Sequence, residues 1–281
     1  RRAMNVTLFG AIVNTILDPI FIFAMDLGIE GAAWATVFSR IVFMAVGLYG
    51  VIRVHRLMAS PKLNAFKVDA PAFAAIAVPA ILTNVATPAS QAYVTAAIAT
   101  HGDDAVAGWA IIGRVLPVAF GAIYALSSSI GPIVGQNYGA REDARMREAF
   151  RLALGVNAGL TLVAWVILAL TSGAVVRLFG ATGDAAHLIF LFNVWLAPLF
   201  AFMGALFVAN AVFNTLDFPH YATVLNWGRA TIGTIPLVHL GSWLAGAEGV
   251  LIAHMAGGIF FGCLAVWICL RLFDRLARER A

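Results

Sequence analysis

The stretch NTILDP, residues 14–19, sits inside a long apolar run, VTLFGAIVNTILDPIFIFAM. Asn14 and Asp18 are four positions apart, so on a helix both side chains project from one face. A charged carboxylate at membrane depth is costly unless it is paired or hydrated, so Asp18 must face protein or a wet cavity. Pro19 has no backbone donor and crowds the carbonyl of Thr15, and a bend there frees carbonyl oxygens to face a cation. Carboxylate, amide, hydroxyl and carbonyl oxygens are the hard ligands that a sodium ion uses, by analogy with other hard cations. The same acid can instead take up and release a proton. A third reading is a protonated aspartate that only ties two helices together. On the residues alone, all three stand.

The elements that hold these residues follow from composition. The chain has 281 residues, 62% hydrophobic and 11% charged, with a mean hydropathy of +0.90. A soluble domain carries about a quarter of its residues as charges, so this one is read as a polytopic membrane protein. Its apolar stretches are long enough to cross a hydrocarbon core of roughly 30 Å at about 1.5 Å per residue. Eight spans are predicted: Val6 to Met25, Ile29 to Val51, Ala70 to Thr100, Ala105 to Val134, Leu152 to Leu170, His187 to Phe213, Ala222 to Leu244 and Gly249 to Leu270. The third and fourth exceed what a bilayer needs, which predicts tilting or an interfacial extension. The runs do not alternate with period two, so a transmembrane barrel is excluded. The fold class is all-α.

Basic residues set the orientation. Arg1, Arg2, Arg53, Arg56, Lys62, Lys67, Arg141, Arg145, Arg147, Arg151, Arg229, Arg271, Arg275, Arg278 and Arg280 flank alternate span ends. The opposite ends carry Asp26, Glu30, Asp103, Asp104, Asp184 and Glu248, with Arg177 as their one basic residue. The positive-inside rule places the first set in the cytoplasm, so odd spans run outward and the carboxy terminus is cytoplasmic. The net charge of +4 reflects this orientation and contact with anionic lipid, and nucleic acid is not an expected partner. The polar segment RVHRLMASPKLNAFKVD, residues 53–69, reads as a cytoplasmic linker. The chain opens on Arg-Arg without an initiator methionine, so further spans are expected to precede it.

An internal repeat supports that expectation. GIEGAAWA, Gly28 to Ala35, matches GAEGVLIA, Gly246 to Ala253, at a constant offset of 218. Each copy lies at the outer mouth of a span hairpin, one-two and seven-eight. A six-span unit repeated in parallel follows, the architecture of transporters whose substrate path runs between two halves. Spans one and two then end the first half, and spans three to eight form the second.

NTILDPIFIF followed by GIEGAAWATV resembles the multidrug and toxic compound extrusion (MATE) transporters, as do PIVGQNYGAR after span four and VLNWGRATIGTIPLVHLG in span seven. The resemblance covers essentially the whole chain. It implies helices five to twelve of a twelve-helix, two-lobed antiporter. Residues 1–52 would end the amino-terminal lobe, 53–69 would link the lobes, and 70–281 would form the six-helix carboxy-terminal lobe. It implies export of organic, often cationic, drugs or metabolites by alternating access, driven by sodium or proton influx. The family's amino-lobe cation site falls on Asn14, Asp18 and Thr36, and its remaining acid lies on a helix preceding this chain. Helical rise puts Asp18 about 10 Å and Thr36 about 12 Å from the same face of the membrane, so the two can meet. The rival readings are a flippase for lipid-linked or polysaccharide precursors within the same superfamily, and a membrane fragment that transports nothing.

Other polar residues in the spans are weighed against bland roles. Arg40 shares the face of Thr36 and can pair with Asp18, which would oppose cation binding. Arg114 is a charge partner or a snorkelling side chain. Asn84 and Gln91 on span three and Asn193 on span six either line the substrate path or bond across helices. His254 occupies the repeat position of Thr36, as a structural histidine or a proton relay. Spans three and six hold no acid beyond Asp69 at the boundary, so no cation site is expected in the second half. No enzyme motif is found, and Cys263 and Cys269 are too sparse for a metal site. No cofactor or resident metal is expected beyond a coupling proton or sodium ion at Asp18. The expected setting is the cell membrane, as a monomer whose partners are a small-molecule substrate and the bilayer.

Overall fold

The computed structural model describes residues 2–54, 56–58 and 63–280. The described residues are helical, with no strand among them. They form two compact units, Arg1–Ala70 and Pro71–Ala281. Lys62 and the centre of the 53–69 linker (55 and 59–62) lie outside the described residues, as does Arg1.

In the first unit, α1 (Arg2–Pro19) runs directly into a π-helical segment, Ile20–Ala24. Pro19 cannot donate to the Thr15 carbonyl, and a wider turn is a local answer to that lost hydrogen bond. The N–H of Met25 closes the wider turn on the Ile20 carbonyl at 2.9 Å. Asp26 and Gly28 then take left-handed backbone, φ 53° and 52°, and α2 (Gly28–Tyr49) returns. Gly31 is buried against the Phe21 backbone, and Gly10 meets Phe43 at the far end. The two helices therefore form an antiparallel hairpin.

The second unit contains α3 (Leu63–Ala99) from Pro71 onward, α4 (Asp103–Ala119), α5 (Gly121–Gly139) and α6 (Asp143–Leu178). After these come α7 (Gly183–Leu191), α8 (Phe200–Thr215), α9 (Pro219–Ala230) and α10 (Ile235–Arg280). A π segment, Phe192–Leu196, and one 3-10 turn, Ala197–Leu199, join α7 to α8. The fourth predicted span is not one tilted helix: α4 and α5 meet at a 50° bend around Phe120. Pro117 and Gly121 flank that bend, and proline is the usual cause of a sharp kink. Similarly, α10 breaks at Ala245 and Gly246. Gly241 abuts Gly249, and Gly233 abuts Gly257, so the chain doubles back there. Among the described residues five helices are long and apolar enough to cross a membrane, and seven when bent pairs count as one. With Pro219–Glu279 folded back on itself, the count is eight, as predicted.

Burial is arranged for lipid. On α6 the buried stripe includes Met146, Phe150, Asn157, Thr161, Leu168 and Ser172, while Leu152, Leu162, Val163, Ile167 and Leu170 face outward. A helix apolar all round, with its small and polar residues turned inward, suits a bundle whose solvent is hydrocarbon. Two apolar cores fill the unit. One centres on Ile112, Phe120, Leu188 and Phe192, the other on Phe150, Phe213 and Phe273.

Polar contacts join α3 to α9 and the start of α10 in a ladder. Thr223 donates to the Pro79 carbonyl at 3.0 Å and the Trp227 indole N–H to the Leu82 carbonyl at 2.9 Å. Further along, an Arg229 Nη2 donates to Thr87 at 3.2 Å, and Ser90 meets Thr234 at 3.3 Å. Residue numbers rise together on both sides, so these helices run parallel. That is the relation expected of two odd-numbered spans.

Candidate functional site

On α1, the Asn14 side-chain amide donates to an Asp18 carboxylate oxygen at 3.3 Å. Both side chains are half-buried. Asn14 lines a cleft of about 200 Å³ with Thr7, Gly10 and Ala11 of α1 and Thr36, Ser39, Arg40 and Phe43 of α2. The close approach of the helices at Gly10 sets the width of this cleft. Asp18 is bonded to Asn14 and is not itself part of the wall. The Thr36 hydroxyl donates to the Ala32 carbonyl of its own helix at 3.0 Å, which leaves the oxygen free to accept or to ligate. Arg40 makes no ion pair with Asp18 among the described residues. Pro19 stands at the junction of α1 and the π segment, one residue beyond Asp18.

The structure thus brings Asn14 to Asp18, and Asn14 to Thr36 and Arg40. An amide oxygen, a hydroxyl oxygen and a nearby carboxylate make an oxygen-rich edge suited to a hard cation or to a proton. Among the described residues no group of three His, Cys, Asp or Glu side chains is placed to hold a metal ion.

In the second unit the predicted residues separate. Gln91 and His254 line a narrow cleft of about 70 Å³ walled by Trp109, Tyr124, Phe200 and Phe207. Asn84 lines a wider cleft of about 400 Å³ with Ser127, Ser128, Asn210, Asn214 and Asn226. Thr87, Tyr124 and Phe207 belong to both walls, so the two clefts are adjacent. Asn84 also bonds back to the Ala80 carbonyl at 2.8 Å. Asn193 is 1% exposed and donates to Ser172 of α6 at 3.5 Å, so it ties helices and lines neither cleft. Arg114 is exposed on α4 and makes no ion pair among the described residues.

Arg229 requires a correction. Counted by sign it belongs with the cytoplasmic anchors, yet it is 3% exposed and lines the narrow cleft together with His254. Its own position gave the signal: it falls seven residues inside the span predicted from Ala222. Trp109, edge-on to the His254 ring at 5.7 Å between centroids, carried no signal in sequence.

Comparison with known proteins accounts for this architecture. Residues 79–239 match the MatE family. The chain is 29% identical over 278 residues to the FAD transporter of Shewanella oneidensis, covering 97% of this chain and 61% of that protein. It is 24% identical over 275 residues to the multidrug export protein MepA of Staphylococcus haemolyticus, covering 96% and 60%. The crystal structure of a mutant of the Vibrio cholerae MATE transporter VcmN superposes with a TM-score of 0.83 at 27% identity, over 98% of this chain and 62% of that one. The chain therefore spans about three fifths of the length of each of these relatives. The all-helical, multi-pass fold and the family inferred from NTILDPIFIF and GIEGAAWATV are both borne out. With its match extending over more than half of its residues, the chain belongs to the MatE family, whose members are membrane transporters and not enzymes.

Proposed function

We propose that the protein is a secondary active antiporter that exports organic compounds, cationic drugs or metabolites among them, driven by sodium or proton influx. One observation carries the reading: Asn14 is bonded to Asp18 and shares a cleft with Thr36. An unneutralised carboxylate in an apolar bundle is unfavourable, so sodium or a proton arriving at Asp18 changes which packing of the hairpin is preferred. The Asn14 amide and the Thr36 hydroxyl supply further oxygens for the ion. The π segment after Pro19 is a helix without a tight hydrogen-bond register, a suitable place for α1 to adjust. Alternating access then links ion entry to substrate exit. The names of the relatives span drugs and a flavin dinucleotide, so the substrate class is organic compounds broadly.

In this reading residues 1–52 close an amino-terminal lobe, and 70–281 form a carboxy-terminal lobe of six spans. The protein lies in the plasma membrane as a monomer with its carboxy terminus in the cytoplasm. The test is efflux of a cationic dye from proteoliposomes with an imposed sodium or proton gradient. Asp18→Asn should abolish gradient-driven efflux while leaving the protein folded. Undiminished efflux by that variant would remove Asp18 from the coupling role.

A further inference from the structure

Arg229 is a guanidinium buried inside a membrane bundle, 3% exposed, and it has no carboxylate partner among the described residues. Its Nη2 bonds to the Thr87 hydroxyl, while its Nε makes no hydrogen bond. The sequence offers no compensation along these spans. No Asp or Glu occurs between Asp69 and Asp103, between Asp104 and Glu142, or between Asp217 and Glu248. A buried, unpaired cation is expensive, and the usual remedy is an anion with hydrogen bonds to match. His254 faces the same cleft, and its buried Nδ1 is also without a partner. In the tautomer with a proton on Nδ1, it adds a second donor.

The walls restrict what kind of anion fits. Trp109, Tyr124 and Phe207 surround the space, with Tyr124 and Phe207 at 5.4 Å between ring centroids. Aromatic walls accept a flat ring in offset or edge-on contact. At about 70 Å³ the narrow cleft admits the anionic group alone, while the adjoining cleft of about 400 Å³, which Tyr124 and Phe207 also line, has room for a ring and a polar remainder. We propose that the second unit holds an anion-recognition site, in which Arg229 and His254 in the narrow cleft take the carboxylate or phosphate of an organic anion whose ring lies in the adjoining wider cleft, against Tyr124 and Phe207. As cargo recognition this rests on the transporter reading; as binding it stands alone. The same carboxylate or phosphate chemistry comes from a soluble organic acid or from a lipid headgroup.

The test uses the protein in phosphatidylcholine nanodiscs and equilibrium dialysis with three probes: 2-naphthoate, 2-naphthyl phosphate and the neutral 2-naphthamide. The two anions should bind about tenfold or more tightly than the amide, the scale of one charge-assisted hydrogen bond. Arg229→Gln should erase that preference in a protein that still elutes and melts as folded. Arg229→Lys keeps the charge but not the planar fork, so it should retain a reduced preference, and this second variant decides the matter if Arg229→Gln does not fold. No ion gradient enters this measurement, so its outcome is independent of the efflux test of Asp18. Displacement of 2-naphthoate by added phosphatidylglycerol identifies a lipid headgroup as a competing anion at the same site, and no displacement assigns it to soluble acids. Equal binding of acid and amide by the unaltered protein, or an acid preference unchanged in both Arg229 variants, overturns the proposal.

Discussion

Gly28 and Gly246, 218 positions apart, both hold a positive φ, 52° and 59°, at the turn where a helix folds back on its predecessor. Three residues later the two copies agree again. Gly31 is pressed against the Phe21 backbone and Gly249 against the Gly241 backbone. The repeat is thus a repeat of local geometry as well as of letters, with glycine used first for its conformation and then for its lack of a side chain. Two substitutions separate these uses. Gly246→Ala meets only ordinary contact with the His101 ring, at 3.7 Å, so it should cost the backbone strain of a side chain at φ 59°, ψ −139°, about 1–3 kcal/mol. Gly249→Ala drives a methyl group into a carbonyl and should cost about 1–3 kcal/mol through overpacking, rising further for Gly249→Val. Thermal unfolding in detergent reads both, and a Gly249→Val protein as stable as its parent would contradict the close packing.

Arg40 lines the cleft of Asn14 and Thr36 without pairing to Asp18. A fixed positive charge there opposes a second one by simple Coulomb repulsion, strengthened by the low dielectric around it. Arg40→Gln is therefore expected to tighten sodium binding severalfold, seen as a lower half-saturating sodium concentration in efflux or in equilibrium binding of radioactive sodium. Arg40→Lys preserves the charge and should leave that concentration near the parent value. A glutamine variant that needs more sodium than its parent would instead make Arg40 an indirect supporter of the site.

What sequence disclosed and what it hid divide along physical lines. Asn14 and Asp18 were legible because a four-residue spacing fixes a shared helical face, and the structure adds their 3.3 Å hydrogen bond. The span hairpins were legible from length and hydropathy. The bend at Phe120 was not, because Pro117 sits in an apolar run that hydropathy reads as uninterrupted. Arg229 was misplaced because a count of charges at span ends records sign and sequence position, and neither reports burial. The aromatic wall around it joins Trp109, Tyr124 and Phe207 from three helices. Only tertiary packing brings those together.

The ladder between α3 and α9 makes a graded stability prediction. Hydrocarbon offers helices little reason to adhere, so side chains that bond across them matter, at about 0.6 kcal/mol on average for each. Thr223→Val removes the hydroxyl that donates to the Pro79 carbonyl at 3.0 Å and meets Thr83 at 2.9 Å. Trp227→Phe removes the indole donor to Leu82. Each should lower the unfolding free energy by about that average, and because the two side chains lie one helical turn apart, the double variant should depart from additivity by their mutual coupling. Thermal melts of the single and double variants check this. Single variants that melt with the parent would show that water or lipid replaces those bonds at no cost.

The ends of the second unit differ in charge, and that difference predicts orientation. One end gathers His101, Asp184, His187 and Glu248 around a single cleft, with His187 Nδ1 2.8 Å from a Glu248 oxygen. The other carries the Arg147–Asp274 pair and the Arg275–Glu279 pair near the carboxy terminus. By the positive-inside rule the second end is expected in the cytoplasm. Of the native cysteines, Cys269 is buried and Cys263 exposed, so Cys263→Ala gives a quiet background. On that background, Glu248→Cys should react with a membrane-impermeant maleimide added to intact cells, and Arg278→Cys should react only after permeabilisation. The opposite pattern would put the carboxy terminus outside and invert the spans of the second unit, because both labelled positions lie in that unit and their order across the membrane is fixed by its fold.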